Sequence, residues 1–217
     1  MGDKQGAEET YQEVLESPRQ SAESEYFAGN ILLQFDLPQY AERHFEDAVA
    51  NLRDRSLALR ARAQLGRALA AQGKIPEAEE MLQQVLAESP DDAEAARALA
   101  GIYLDQERPA GAAPLLRRAL AANPDSADLL NDYATTLEAM GDTASAYEHY
   151  KRATLIDPSF AEAAENLALL CEGQGRLEEA RDHFVAARDL FEKQGRYDEM
   201  HQCINRISEL MTRLAPE

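Results

Sequence analysis

The chain has 217 residues, of which 45% are apolar, 29% charged and only 6% aromatic, with no Trp. That composition predicts a folded chain whose core rests on Leu, Ala, Val and Ile rather than on large rings. Forty acids against 22 bases give a net charge of −18, which argues against nucleic-acid or anionic-membrane binding, since both need an excess of Lys and Arg near phosphates.

From the N-terminus, Met1-Gly2-Asp3-Lys4-Gln5-Gly6 has no hydrophobic stretch, so no secretory signal is expected. Gly6 stands where an N-myristoylation signal wants Ser or Thr. No apolar run reaches the roughly 18–20 residues that span a bilayer. The chain as given reads as soluble and cytoplasmic, unless a leader has been removed. Residues 7–17 are predicted to form a helix, because Ala7-Glu8-Glu9-Thr10-Tyr11-Gln12-Glu13-Val14-Leu15 matches Ala78-Glu79-Glu80-Met81-Leu82-Gln83-Gln84-Val85-Leu86.

The body of the chain repeats. Pro90, Pro124 and Pro158 are 34 residues apart, and the segments 59–92, 93–126, 127–160 and 161–194 align position by position. The seventh and eighth positions hold Leu65-Gly66, Leu99-Ala100, Tyr133-Ala134 and Leu167-Ala168. The twentieth holds Ala78, Ala112, Ala146 and Ala180; the twenty-fourth holds Leu82, Leu116, Tyr150 and Phe184. Val85, Ala119, Ala153 and Ala187 fill the twenty-seventh, and Gly73, Gly141 and Gly175 the fifteenth. An earlier copy, 22–58, keeps Gly29, Ala41, Phe45 and Ala48 in register and carries three extra residues before Leu59.

Each copy predicts two amphipathic helices joined at the fifteenth position, where Gly supplies a left-handed backbone. Pro38, Pro76 and Pro109 fall where a second helix starts, and Pro90, Pro124 and Pro158 where it stops. Pro114 is expected to kink or delay the second helix of its copy. The fifth copy has no terminal proline, so its second helix is expected to run on through Lys193.

These positions resemble the tetratricopeptide repeat (TPR) family. The resemblance covers 22–194 as five repeats (22–58, 59–92, 93–126, 127–160, 161–194), preceded by an N-terminal segment, 1–21, with a half-repeat helix. It implies an all-α right-handed superhelical solenoid of antiparallel helix pairs, since a lone pair cannot bury its own face. One departure from the family pattern is the fourth position, often aromatic, which here holds Arg62, Ala96, Leu130 and Ala164 and predicts looser packing between repeats.

The remaining segment, 195–217, is expected to be a capping helix. Tyr197, Met200, Ile204, Ile207, Met211 and Leu214 are spaced 3, 4, 3, 4 and 3, which reads as one heptad-like stripe. That stripe either covers the last exposed face of the array or forms a seam for a second copy, with a monomer favoured.

Nothing in the sequence points to catalysis, a cofactor or a metal. There is no Gly-rich phosphate loop and no His pair at helical spacing. His44, His149 and His183 all occupy the twenty-third position, on separate helices, and read as surface residues. Cys171 and Cys203 lack zinc-like spacing and read as reduced core thiols.

In TPR proteins the second, fifth and ninth positions of each first helix line the concave face. The resemblance therefore implies a groove that includes Tyr26, Asn30, Arg60, Arg67, Arg97, Asn131 and Glu165. Residues 56–74 hold Arg60, Arg62, Arg67 and Lys74 and no acid, whereas 119–150 hold Asp125, Asp128, Asp132, Glu138, Asp142 and Glu148 and no Lys or Arg. Arginine forks pair with carboxylates at two points at once, so a bipolar groove is expected in which Arg60, Arg67 and Arg97 hold an acidic peptide. The competing reading pairs these arginines with Glu25 and Glu94. The Lys/Asn/Arg set by which some TPR domains clamp chaperone tails is incomplete, with Gln64 in place of Asn and Ala98 in place of Arg. The expected role is a non-catalytic adaptor or assembly scaffold binding an extended peptide or helix; the alternatives are self-association through the terminal helices, or a regulatory segment of a larger enzyme or sensor.

Overall fold

The computed structural model describes residues 21–215. The helix expected at 7–17 lies outside the described residues. Among those described, the chain forms eleven α-helices and no strand: α1 (Ala22–Gln34), α2 (Pro38–Asn51), α3 (Arg55–Ala71), α4 (Ile75–Glu88), α5 (Ala93–Asp105), α6 (Pro109–Ala122), α7 (Ala127–Ala139), α8 (Thr143–Ile156), α9 (Ala161–Gly173), α10 (Leu177–Lys193) and α11 (Tyr197–Leu214). The chain divides after Arg108 into two compact units. That division falls inside the third expected repeat, between α5 and α6.

In the first unit each helix packs on the next, and α3 also touches α1 and α5. In the second unit α6 to α11 pack in the same sequential way. The repeat positions explain why. Ala78, Ala112, Ala146 and Ala180 are fully buried, as are Leu82 and Leu116, with Tyr150 and Phe184 at 1% exposure. Small residues let helix backbones approach, and large ones opposite fill the gap. At the fourth position Ala96 and Leu130 are fully buried and Ala164 nearly so, while the Arg62 side chain keeps 22% exposure.

Local chemistry sets the helix ends. Asp54, Asp92, Ser126 and Asp142 accept hydrogen bonds from the backbone N–H three residues on, satisfying donors the first turn leaves open. The Ser145 hydroxyl and backbone N–H hold the Asp142 carboxyl below its ordinary range. Pro38 and Pro109 open α2 and α6, and Pro76 is the second residue of α4. The three extra residues of the first copy do not form a loop; with Arg55 they lengthen α3 to 17 residues, against 13 in α5, α7 and α9.

Pro114 does not delay its helix. α6 starts at Pro109 and runs 14 residues through it, the length of α4 and α8. Burial of Ala112, Leu116 and Ala119 outweighs the one backbone bond a proline removes. α10 does run on, to 17 residues.

The turn at the fifteenth position is left-handed in every copy. Gly73, Gly141 and Gly175 have φ of 77°, 84° and 75°, and the same backbone is forced on Asp36 (56°) and Glu107 (57°). A side chain there costs about 1–2 kcal/mol, while glycine adds about 0.5–1 kcal/mol of unfolded-chain entropy. Glu107→Gly is therefore expected to stabilise the first unit by about 0.5–1 kcal/mol, read as a higher urea midpoint at unchanged slope. A midpoint that falls would show that Glu107 makes a compensating contact.

Candidate functional site

Helix α3 carries the basic stretch, and the fold sorts its charges onto two sides. Arg62 faces α4 and bonds Glu88 at 2.6 Å. Lys74, just past the helix, bonds Glu42 at 2.6 Å on α2. Those two bases are neutralised by structural partners. Arg60 and Arg67, seven residues apart and so on one face, are not tied in this way. Arg60 is exposed, its guanidinium carbon 5.7 Å from the Tyr26 ring centroid, and among the described residues it makes no ion pair. Arg67 donates to Gln64 at 2.8 Å and reaches Glu94 only at 3.4 Å.

The competing reading thus holds for Arg67, weakly. Glu25 is instead occupied by His44, whose Nδ1 lies 2.5 Å away. Arg97 is half-buried on α5 and has interactions of its own. Arg67 also borders a cleft of about 260 Å³ lined with Leu33, Asp36, Pro38, Ala70, Ala71 and Ala98.

Tyr26 does not line this face with an open ring. It is 4% exposed and tilts against Phe45 at 6.1 Å, so it is a floor beneath Arg60. Asn30, half-buried, donates to the Tyr26 carbonyl at 2.8 Å. The fifth position is buried wherever its residue is short: Ala63 is fully buried and Asn131 8% exposed.

In the second unit Asn131 accepts from Asn166 Nδ2 at 3.0 Å. Glu165 is half-buried; burial, opposed by the nearby Arg196, pushes its carboxyl above the ordinary range. Three of the six acids of 119–150 have structural tasks. Asp125 pairs with Arg152 at 3.1 Å, Glu138 accepts from the Tyr150 hydroxyl at 3.1 Å, and Asp142 caps α8.

The terminal helix corrects the single-stripe expectation. Met200, Ile207 and Leu214 are partly buried, and Cys203 and Leu210 complete their row at 0% exposure. Tyr197, Ile204 and Met211 form a separate outer row, exposed by 60%, 40% and 60%. Six residues at 3–4 spacing are two neighbouring rows, each of period seven, and only one meets the core.

The histidines of the twenty-third position, His44, His149 and His183, are half-buried rather than fully exposed. The Nδ1 of His149 lies 2.8 Å from the Ser145 carbonyl while its ring meets the Tyr133 edge at 5.1 Å. Burial holds His183 below the ordinary imidazole range. The twenty-third position faces the preceding helix of its own copy: His44 meets Glu25 on α1 and His149 meets Tyr133 on α7. Both cysteines are free and buried, and burial pushes the Cys203 thiol up to about 11.

Family models described as tetratricopeptide repeat match residues 63–127 and 132–195, and another of the same description matches 115–148. The chain belongs to the TPR family. Among solved structures, a thermophilic TPR protein of Thermus thermophilus is similar over 86% of this chain and 99% of its own, at 21% identity and TM-score 0.75. MamA of Desulfovibrio magneticus is similar over 82% of this chain and 99% of its own, at 20% identity and TM-score 0.61. At such identities the likeness establishes the fold. No curated protein sequence matches. TPR domains bind proteins or peptides, and the fold assigns this chain a protein-interaction role. Among the described residues no helix is long and apolar enough to cross a membrane.

Proposed function

We propose that the first unit is a docking module for an acidic extended peptide, held by Arg60 and Arg67 with Arg97 beside them on α5. The observation that supports this is the sorting of charge along residues 60–74: Arg62 and Lys74 are bound by carboxylates at 2.6 Å, whereas Arg60 rests on a ring. A guanidinium over an aromatic face keeps its N–H fork available to an incoming carboxylate. The chain would then act as a non-catalytic adaptor.

The experiment is selection from a random peptide display library with the full chain and with Arg60→Glu/Arg67→Glu, both checked for helicity. Enrichment of Asp- and Glu-rich peptides by wild type, lost in the variant and weakened by salt, is the expected result. Enrichment of the same peptides by both proteins would remove the arginines from the site.

A second reading, self-association, is favoured by the outer row of α11. Tyr197, Ile204 and Met211 present apolar side chains that are 60%, 40% and 60% exposed. Light scattering decides it: a dimer that Tyr197→Asp/Met211→Asp converts to monomer supports the seam, and a wild-type monomer at high concentration removes it.

A further inference from the structure

Cys171, Glu179 and His183 converge within the fifth repeat. Cys171 projects from α9 and is fully buried. Glu179 and His183 lie four residues apart on α10, so both point to the same side. One sulfur, one carboxylate oxygen and one ring nitrogen from these residues all lie within 4.8 Å of one another.

These are the eleventh, nineteenth and twenty-third positions of the repeat. Elsewhere they hold Leu32, Tyr40 and His44; Leu69, Glu77 and Met81; Tyr103, Gly111 and Leu115; Leu137, Ser145 and His149. Of the five copies, the fifth alone places sulfur, carboxylate and imidazole at all three. His149, at the matching place in the fourth copy, is turned to its own helix at the Ser145 carbonyl. Among the described residues His183 has no hydrogen-bond partner.

We propose that Cys171, Glu179 and His183 form a binding site for a zinc-class divalent cation, with the fourth position open to water. Thiolate, imidazole and carboxylate are the donor set of zinc, and hard cations such as magnesium and calcium prefer oxygen alone. Zinc bonds of about 2.0–2.3 Å in a tetrahedron need donors roughly 3.3–3.6 Å apart. To reach that spacing from donors within 4.8 Å of one another, His183 would rotate toward the other two.

Glu179 is already aimed. Its carboxylate bonds Arg176, whose guanidinium carbon stands 4.2 Å from the Tyr147 ring centroid, and the Tyr147 hydroxyl lies 3.5 Å from Glu179 Oε2. One carboxylate oxygen can bind the cation while the other keeps Arg176, an outer-shell arrangement that orients a ligand. On binding, the Cys171 thiol gives one proton to solvent as the sulfur–metal bond forms. The imidazole and carboxylate donate lone pairs, and nothing is oxidised or reduced. The bound cation would clip α9 to α10.

The test uses cobalt(II), then zinc, as probes on the full reduced chain. Wild type is expected to show visible bands of tetrahedral cobalt and a near-ultraviolet thiolate-to-cobalt band, saturating at one equivalent and abolished by zinc. Cys171→Ala and His183→Gln should each weaken binding by roughly a hundredfold or more, since even an outer-shell partner is worth about 10–100-fold. Cys203→Ala, at the other buried thiol, should bind as wild type does. Zinc should also raise the melting temperature of wild type but not of His183→Gln, a half-exposed site that keeps the fold if Cys171→Ala does not. Absence of the thiolate band in wild type, or equal binding by the His183 variant, would overturn the site.

Discussion

Phe184→Ala is expected to lower the stability of the second unit by about 3–5 kcal/mol. Phe184 is 1% exposed and belongs to a cluster that joins α7 through α11, including Tyr150, Cys171, Phe191, Cys203 and Leu210. Its ring occupies the twenty-fourth position, opposite the small eighth-position residue Ala168 and the fully buried Ala180 and Ala187. Alanines cannot expand into the space a ring leaves, so the substitution loses both transfer free energy and the contacts around a cavity. Phe27→Ala is the matched control. That ring is 59% exposed, and surface truncations fall within about 0.5 kcal/mol. Urea unfolding of both variants gives the comparison; a Phe184 variant within about 1 kcal/mol of wild type would mean the cluster collapses around the gap.

The same register that makes this prediction was legible in the sequence, because one spacing of 34 residues fixes turns, stops and packing positions together. A single helix carries only a period near 3.6, which leaves its rotation open. A repeat adds equivalent residues in other copies, and these resolve it. Where that help ends, sequence reading falters. α11 has no equivalent copy, so Tyr197 to Leu214 read as one stripe until Cys203 and Leu210 are counted, which shows the buried row at 200, 203, 207, 210 and 214.

The candidate site residues were read from the sequence only through the family resemblance, and reach from the backbone decides which of them emerge. Tyr26 rests on Phe45 and stays inside, whereas Arg60 and Arg67 have stems long enough to bring their charges out. Turn chemistry was legible only where glycine marks it, so the left-handed Asp36 and Glu107 went unseen. The Cys171–Glu179–His183 cluster escaped because metal motifs are sought along one helix, and its donors come from two.

Gly66→Ala is expected to destabilise the first unit by about 1–3 kcal/mol, the usual cost of overfilling a packed site. A methyl group at residue 66 would stand 2.7 Å from Leu82 Cγ and 2.8 Å from Leu82 Cδ2. Leu82 is fully buried, so it has no free rotamer to retreat into, and α3 must move off α4 instead. At the equivalent Gly29 an added methyl group would stand 2.6 Å from the Phe45 ring, so the first two copies both use this close approach. In later copies alanine holds the position, which shows that the spacing of the pair, not the family, demands glycine here. A double-mutant cycle separates crowding from helix propensity. Leu82→Ala alone should cost about 2–5 kcal/mol, yet much less in the Gly66→Ala background, where the new methyl enters the vacated space. Additive losses would assign the effect to something other than the Leu82 contact. The functional consequence is direct, because Gly66 precedes Arg67 on the helix that also carries Arg60. Under the proposed docking of an acidic peptide, displacing α3 from α4 by even a fraction of an ångström would change where both guanidinium groups meet it, so that binding should weaken in Gly66→Ala and recover in the double variant.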